Sequence, residues 1–186
     1  GSLSIERIDE SVRKILLAKY KVGLHQYQPI DTLNLVSDLN TIADEVLHRE
    51  LVKASMTVIK NKKNILPVQD LKKNKKIAYV PLGDDSGADF LHLLKKYTDV
   101  TKVTGDKIDE MLNVLKEYDL IIIGYHKSNK HPWKPFKFSL QELNWLHEIS
   151  RKNKTILSVF ASPYSLLDVK SFTNLEGILV AYQNSK

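Results

Sequence analysis

Apolar side chains recur at helical spacing across residues 5–24 (Ile5, Ile8, Val12, Ile15, Leu16, with the long stem of Lys19 continuing the stripe), and Gly23 stands where such a helix must stop. This predicts a helix over 5–24. Residues 25–40 lose the period. Pro29 and several Asx residues there predict a connector that wraps over a surface, with room for one short helical turn, and their composition marks the domain boundary. A second helix is predicted over 41–55, capped by Thr41, with Glu45 near the capping-box position.

Beyond Pro67 strand-like and helix-like stretches alternate: KIAYVPL (76–82), ADFLHLLKKY, a short TKVT, DKIDEMLNVLKEY, DLIIIGY, LQELNWLHEIS, TILSVFA, PYSLLDV and GILVAYQ. Near-continuous apolar runs such as Leu120 to Ile123 are what a parallel strand needs when both faces of its sheet are covered. Strands alternating with helices of about 10–15 residues imply right-handed βαβ crossovers. The expected fold is therefore α/β: an open, mostly parallel, doubly wound sheet with helices on both faces (an α/β sandwich), preceded by a helical linker. Residues 1–40 are assigned to the tag scar, helix and connector, and 41–186 to the sandwich. Gly1 and Ser2 read as an expression scar, and the chain enters a helical pattern at once, so it is expected to be cut from a longer protein. It stops directly after a strand, so the final helix and strands of such a domain are either cut off or never part of it.

Composition narrows the chemistry. At 186 residues with 42% hydrophobic content there is one full-sized domain and an appendage, and no apolar run approaches the roughly 18 residues that span a bilayer. Cysteine is absent, which removes disulfides, thiol catalysis and cysteine-ligated zinc. The net charge of +6 is carried mainly by lysine, with only Arg7, Arg13, Arg49 and Arg151 as arginines, so base or phosphate-backbone recognition by a nucleic-acid binder is not expected.

Open parallel sheets gather ligands at the carboxyl ends of their strands. Three such loops matter. GDDSGAD after residue 82 has the glycines of a phosphate cradle, yet Asp84, Asp85 and Asp89 repel phosphate and no Walker lysine is present. It reads better as a turn in which Ser86 or Asp85 caps the next helix. A receiver-type magnesium site fails because Gly124 and Tyr125 stand where the phosphorylated aspartate belongs. The second loop, YHKSNKHPWKPFKF, holds four lysines, two histidines and two prolines, with no carboxylate between Asp119 and Glu142. Its prolines make it a semi-rigid projection, so His126, Lys127, His131, Trp133 and Phe136 are the candidates for a substrate cleft. The opposed reading is a solvated loop whose aromatics pack locally. A metal held by His126 and His131 lacks a third ligand, and no metal or cofactor is expected. In the third loop, ASPYSLLD, Ser162 and Ser165 have neither an adjacent histidine nor nucleophile-elbow glycines, so no catalytic residue is assigned. His25, His48, His92 and His147 read as surface or packing histidines, while Trp145 and Leu146 fit the buried face of their helix.

Residues 54–68, ASMTVIKNKKNILPV, resemble the "S-x-T-L-L-K-N…L-P-L" signature that opens the C-terminal domain of glycoside hydrolase family 3. The 5–24 helix resembles the one leaving that family's catalytic barrel, ILVAYQNS (178–185) its "V-x-A-Y-Q" strand, and SPY its "N/S-P-Y" turn. The resemblance implies a retaining exo-β-glycosidase whose aspartate nucleophile sits on an N-terminal (β/α)8 barrel. That barrel would be this chain's partner and carbohydrate its substrate, while the segment alone is not expected to hydrolyse anything. Many family β-glucosidases take the general acid/base, a glutamate, from the loop corresponding to 125–138. The β-N-acetylglucosaminidase branch uses a histidine–aspartate pair on the barrel instead. The missing carboxylate points to that branch. A stand-alone α/β module that binds a small ligand or a protein is the rival expectation.

Overall fold

The computed structural model describes residues 3–71, 75–128, 131, 133 and 135–182. The chain divides into two compact units, residues 1–47 and 48–186.

In the first unit, α1 (Ile5–Lys21) starts where the Ser4 side chain accepts a hydrogen bond from the Arg7 N–H, and it ends three residues earlier than the periodicity predicts. Val22 closes the last turn, and Gly23 takes φ 82, a left-handed conformation that redirects the chain into a 3₁₀ turn at Leu24–Gln26. The connector contains one helical turn, α2 (Leu35–Asp38). No residue of α1 is buried, and the stripe that made the helix legible, Ile5, Ile8, Val12, Ile15 and Leu16, stays exposed.

Helix α3 (Ile42–Ser55) runs across the division. Its capping partner is Asp44 rather than Glu45: the Asp44 N–H donates to Thr41 Oγ1 at 3.3 Å, and Asp44 Oδ2 accepts from the Thr41 N–H at 2.9 Å. The side chain that closes the box must sit three residues past the cap, and Glu45 is four.

The second unit is a six-stranded sheet in the order β1-β6-β5-β4-β2-β3, with β1 (Thr57–Asn61), β2 (Ile77–Gly83), β3 (Val100–Lys102), β4 (Leu120–His126), β5 (Thr155–Phe160) and β6 (Leu175–Val180). β2 to β6 pair in parallel, and β1 lies antiparallel on β6. Alternate residues of the strands feed two cores. On one face Val80, Ile121, Ile123, Leu157, Val159 and Ile178 meet α5 (Ile108–Leu115), α6 (Leu140–Lys152) and the 3₁₀ turn Pro163–Asp168. On the other, Ile77, Tyr79, Leu120, Ile122 and Ile156 meet α4 (Ala88–Leu94) and the segment carrying Ile65, Leu66, Val68 and Leu71. The doubly wound α/β sandwich expected from the alternation is the observed architecture. Pro81 is tolerated inside β2 because β3 reaches only to Tyr79, leaving that side of β2 free of a strand neighbour.

The local logic of the 54–68 segment is also visible. Asn61 ends β1 and brackets the Leu66 amide, its Oδ1 accepting from the Leu66 N–H and its Nδ2 donating to the Leu66 carbonyl, both at 2.8 Å. That clamp holds Ile65 and Leu66 against the sheet. At the other end, β6 stops at Val180, because Tyr182 adopts φ 62 and turns the chain away. The strand expected over 178–185 therefore ends early, and residues 183–185 lie outside the described ones.

Candidate functional site

The carboxyl edge of β2, β4 and β5 ends in register, with Gly83 opposite His126 and His126 opposite Phe160. The three loops singled out above leave from this row. Strand alternation sends Tyr125 to one face and His126 to the other, on the same side as Ile122 and Leu120.

His126 is consequently not in an open cleft. It is 1% exposed, its Nε2 lies 2.7 Å from the Tyr79 hydroxyl, and its ring stacks on Phe160 at 4.5 Å with Phe90 alongside at 6.1 Å. Three glycines leave space for this box. A Cβ on Gly124 would stand 2.5 Å from His126 Nε2, and one on Gly87 would stand 2.0 Å from the Tyr79 hydroxyl. Gly83, at φ 106, lets the β2 backbone pass so close to β4 that an added Cβ would lie 1.8 Å from the His126 carbonyl oxygen.

The GDDSGAD turn braces the neighbouring loop. Asp84 donates its N–H to the His126 carbonyl at 3.0 Å and accepts from the Ser128 N–H at 2.7 Å. Neither Ser86 nor Asp85 caps α4: the cap position is Gly87 at φ 59, without a side-chain cap, and the Asp85 carboxylate turns back to accept from the Gly87 N–H. A glycine is required there because any Cβ would enter the Tyr79–His126 box.

The other candidates separate by environment. Lys127 is partly buried, with Nζ 3.5 Å from Glu142 and 5.3 Å from the Tyr125 ring centre. His131 is exposed and Trp133 is 91% exposed. Phe136 sits beside Tyr164 with ring centres 6.5 Å apart, and its carbonyl accepts from the Tyr125 hydroxyl at 2.9 Å. Phe138 is buried and stacks on Tyr125 at 3.6 Å, which pins the end of the loop. The structure thus brings Phe136 and Tyr164 together as an aromatic pair and does not bring His126 to His131. Asn129, Lys130, Pro132 and Lys134 of this loop lie outside the described residues. Tyr79, the partner of His126, escaped the sequence reading because nothing local links residues 79 and 126.

Glu142, the first carboxylate after the loop, is committed elsewhere. It closes a capping box with Ser139 at the start of α6 and faces Lys127. Among the described residues no group of three His, Cys, Asp or Glu side chains could hold a metal ion. His25, His48, His92 and His147 are all exposed, Ser165 is buried, and Leu146 is buried with Trp145 packed at its side.

Burial pushes the hydroxyl pKa of both Tyr79 and Tyr125 far above the usual phenol value, aided at Tyr79 by Asp85 and at Tyr125 by Glu142, Asp84 and Asp168. Because the folded pKa lies above the unfolded value near 10, the stability held by each neutral hydroxyl is complete below about pH 10 and declines as pH rises beyond it. Each tyrosine then contributes a slope of up to about 1.4 kcal/mol per pH unit. Urea midpoints measured from pH 9 to 11 are expected to fall more steeply for the native chain than for Tyr79→Phe; equal slopes would show that the Tyr79 hydroxyl ionises as easily in the folded protein.

No protein-family model matches this chain, and no curated protein matches it. Solved structures do. The chain is similar to beta-glucoside phosphorylase BglX bound to 2FGlc, at TM-score 0.72 and 22% identity over 98% of this chain and 34% of that one. It is similar to a fungal multi-domain GH3 beta-N-acetylglucosaminidase at TM-score 0.61 and 20% identity, over 98% of this chain and 21% of that one. It is also similar to beta-glucosidase D2-BGL from Chaetomella raphigera at TM-score 0.64 and 16% identity, over 98% of this chain and 32% of that one. The chain spans about a third or less of the length of these proteins. Its fold is that of one portion of much larger glycosidase and phosphorylase chains, in agreement with the resemblance carried by residues 54–68.

Proposed function

We propose that this chain is the C-terminal α/β region of a family 3 glycoside hydrolase, an accessory domain that braces a catalytic (β/α)8 barrel of the same parent protein. Residues 41–186 form the sandwich, and residues 1–40 belong to the junction with the barrel. The reading rests chiefly on one observation: the fold likeness takes in 98% of this chain while using only 21% to 34% of each larger protein. The exposed apolar stripe of α1 supports it, since a junction helix would cover that stripe with the barrel.

Within the family, the β-N-acetylglucosaminidase branch is the assignment we favour. Residues 127–138 contain no carboxylate, and Glu142 is tied to Ser139 and Lys127, so this loop has no carboxylic acid to serve as the glutamate-type general acid. The barrel would then provide both the nucleophile and the acid/base. The loop contributes one wall of the substrate cleft through Lys127, His131, Trp133 and Phe136, with His126 holding the wall from inside the fold. An exposed tryptophan and the Phe136–Tyr164 pair offer apolar faces of the kind that stack on sugar rings.

The test compares hydrolysis of chromogenic β-N-acetylglucosaminide and β-glucoside by this 186-residue chain and by the complete product of its gene. Turnover by the complete product alone, with preference for the acetylamino sugar, is expected. Preference for the glucoside would overturn the branch. A complete product without a barrel, inactive on both, would overturn the accessory role in favour of a self-contained binding module.

A further inference from the structure

At the opposite, amino-terminal edge of the sheet lies a cavity of about 560 Å³ between the turn after β1, the end of α6 and the starts of β5 and β6. Five cationic side chains line it, Lys62, Lys63, Arg151, Lys152 and Lys154, against the single carboxylate of Glu176. We infer that this cavity is a binding site for a phosphorylated small molecule of sugar-phosphate size.

Part of the charge has a structural explanation. Arg151 is paired with Glu148 at 2.7 Å, and Lys152 sits in the last turn of α6, where a cation complements the helix dipole. Lys62, Lys63 and Lys154 are not explained that way. They come from two other segments and converge on the same space. Lys62 Nζ reaches Glu176 at 2.9 Å, and that hydrogen bond, together with the charges of Lys62, Lys63 and Lys154, holds the Glu176 carboxyl below its usual range. The ammonium groups of Lys63, Lys152 and Lys154 have no ion-pair or hydrogen-bond partner among the described residues. One carboxylate therefore stands among more cations than it can satisfy.

Such a cleft focuses positive potential into a bounded volume, which raises the local concentration of an anion. A lysine meets phosphate as a point charge, so several flexible ammonium groups suit a dianionic phosphoryl group without the fixed fork geometry of arginine. The volume falls in the range of small-molecule pockets and far exceeds what one inorganic phosphate fills. Asn174 and Thr173 in the lining provide amide and hydroxyl partners for the sugar hydroxyls. The turn presenting Lys62 and Lys63 is also preorganised, because Asn61 clamps it to Leu66. The site is independent of the glycosidase reading, since it shares no residue with the carboxyl-edge loops.

Calorimetric titration of the 186-residue chain with glucose 6-phosphate, inorganic phosphate and glucose at low salt tests the assignment. Glucose 6-phosphate is expected to bind, inorganic phosphate about tenfold more weakly, and glucose not at all. The double variant Lys63→Glu/Lys154→Glu is expected to weaken glucose 6-phosphate about tenfold or more, while Glu176→Gln, which frees Lys62, tightens it several-fold. Both lysines are exposed, and far-UV circular dichroism checks that the variants fold. Absence of glucose 6-phosphate binding, or equal affinity in the double variant, overturns the site. Equal affinity for inorganic phosphate overturns the sugar-phosphate assignment.

Discussion

Gly83→Ala is expected to destabilise the α/β unit by about 3 kcal/mol or more, a large share of a domain's total stability. Two costs combine. At φ 106 the residue occupies backbone space that L side chains rarely enter, and its added Cβ would lie 1.8 Å from the carbonyl oxygen and 2.7 Å from the carbonyl carbon of His126. Both atoms are backbone of the central strand β4, so no side-chain rotation relieves the overlap; β2 and β4 must separate. That separation would also strain the Asp84 N–H bond to the His126 carbonyl and the Asp84–Ser128 bond that roots the projecting loop. Gly105→Ala is the matched control, because its Cβ would crowd the Met111 side chain, at 2.9 Å from Cγ, while the Lys107 carbonyl oxygen lies at an ordinary 4.0 Å, and a flexible methionine can move aside. Urea unfolding followed by near-UV circular dichroism reads the difference. Similar midpoints for the two variants would mean that the Gly83–His126 approach is not as tight as described.

His126→Ala is expected to cost about 3 kcal/mol, and this separates two roles for the residue. A side chain projecting into a substrate cleft could be removed with little effect on folding. His126 instead fills a box between Tyr79, Phe90 and Phe160, so its loss opens a cavity and leaves the Tyr79 hydroxyl buried without its partner. His126→Phe keeps the stack on Phe160 but not the hydrogen bond, and should lie between the native chain and the alanine variant. Trp133→Ala and His131→Ala, at exposed positions, are expected to stay within about 0.5 kcal/mol of the native chain. Thermal melts of the four variants make the comparison, and an unchanged His126→Ala midpoint would return the residue to the cleft.

The contrast shows what was legible. The sheet could be read because Leu120 to Ile123 is apolar at every position and the 155–160 stretch is interrupted only by the small polar side chains of Thr155 and Ser158, a pattern that suits a strand covered on both faces. Helices α1 and α6 could be read from their period. The misplacement of His126 had a different origin. The apolar run ends at Ile123 and the residues after Gly124 read as a loop, whereas β4 continues to His126. Counting by twos from Leu120 through Ile122 and Gly124 places His126 on the inner face, so the signal for its position was present. Its partner could not be inferred, since the bond to Tyr79 joins two strands separated by a complete helix-containing crossover. Trp133, between Pro132 and Pro135, and Phe136, directly after Pro135, stand out in the sequence as aromatics in a lysine-rich loop, and both are exposed in the structure. The glycine spacing around the box carried no recognisable motif, because Gly83, Gly87 and Gly124 are defined by what they must avoid.

The position of β1 has a consequence for the order in which the protein can be completed. Among the described residues its only strand neighbour is β6, and the pair Thr57–Val180 joins residues some 120 apart in sequence. On a ribosome adding roughly 5–20 residues per second, β1 therefore waits about 6–25 seconds for the strand that will hydrogen-bond to it. During that interval TVIKN is an open edge, available to another nascent chain. Lys60, whose ammonium ends on the Phe172 carbonyl at 2.6 Å in the finished fold, is the one charge within the strand and acts until then as a gatekeeper against intermolecular pairing. Vectorial synthesis thus makes the first strand of the sandwich wait for β6 before it can dock.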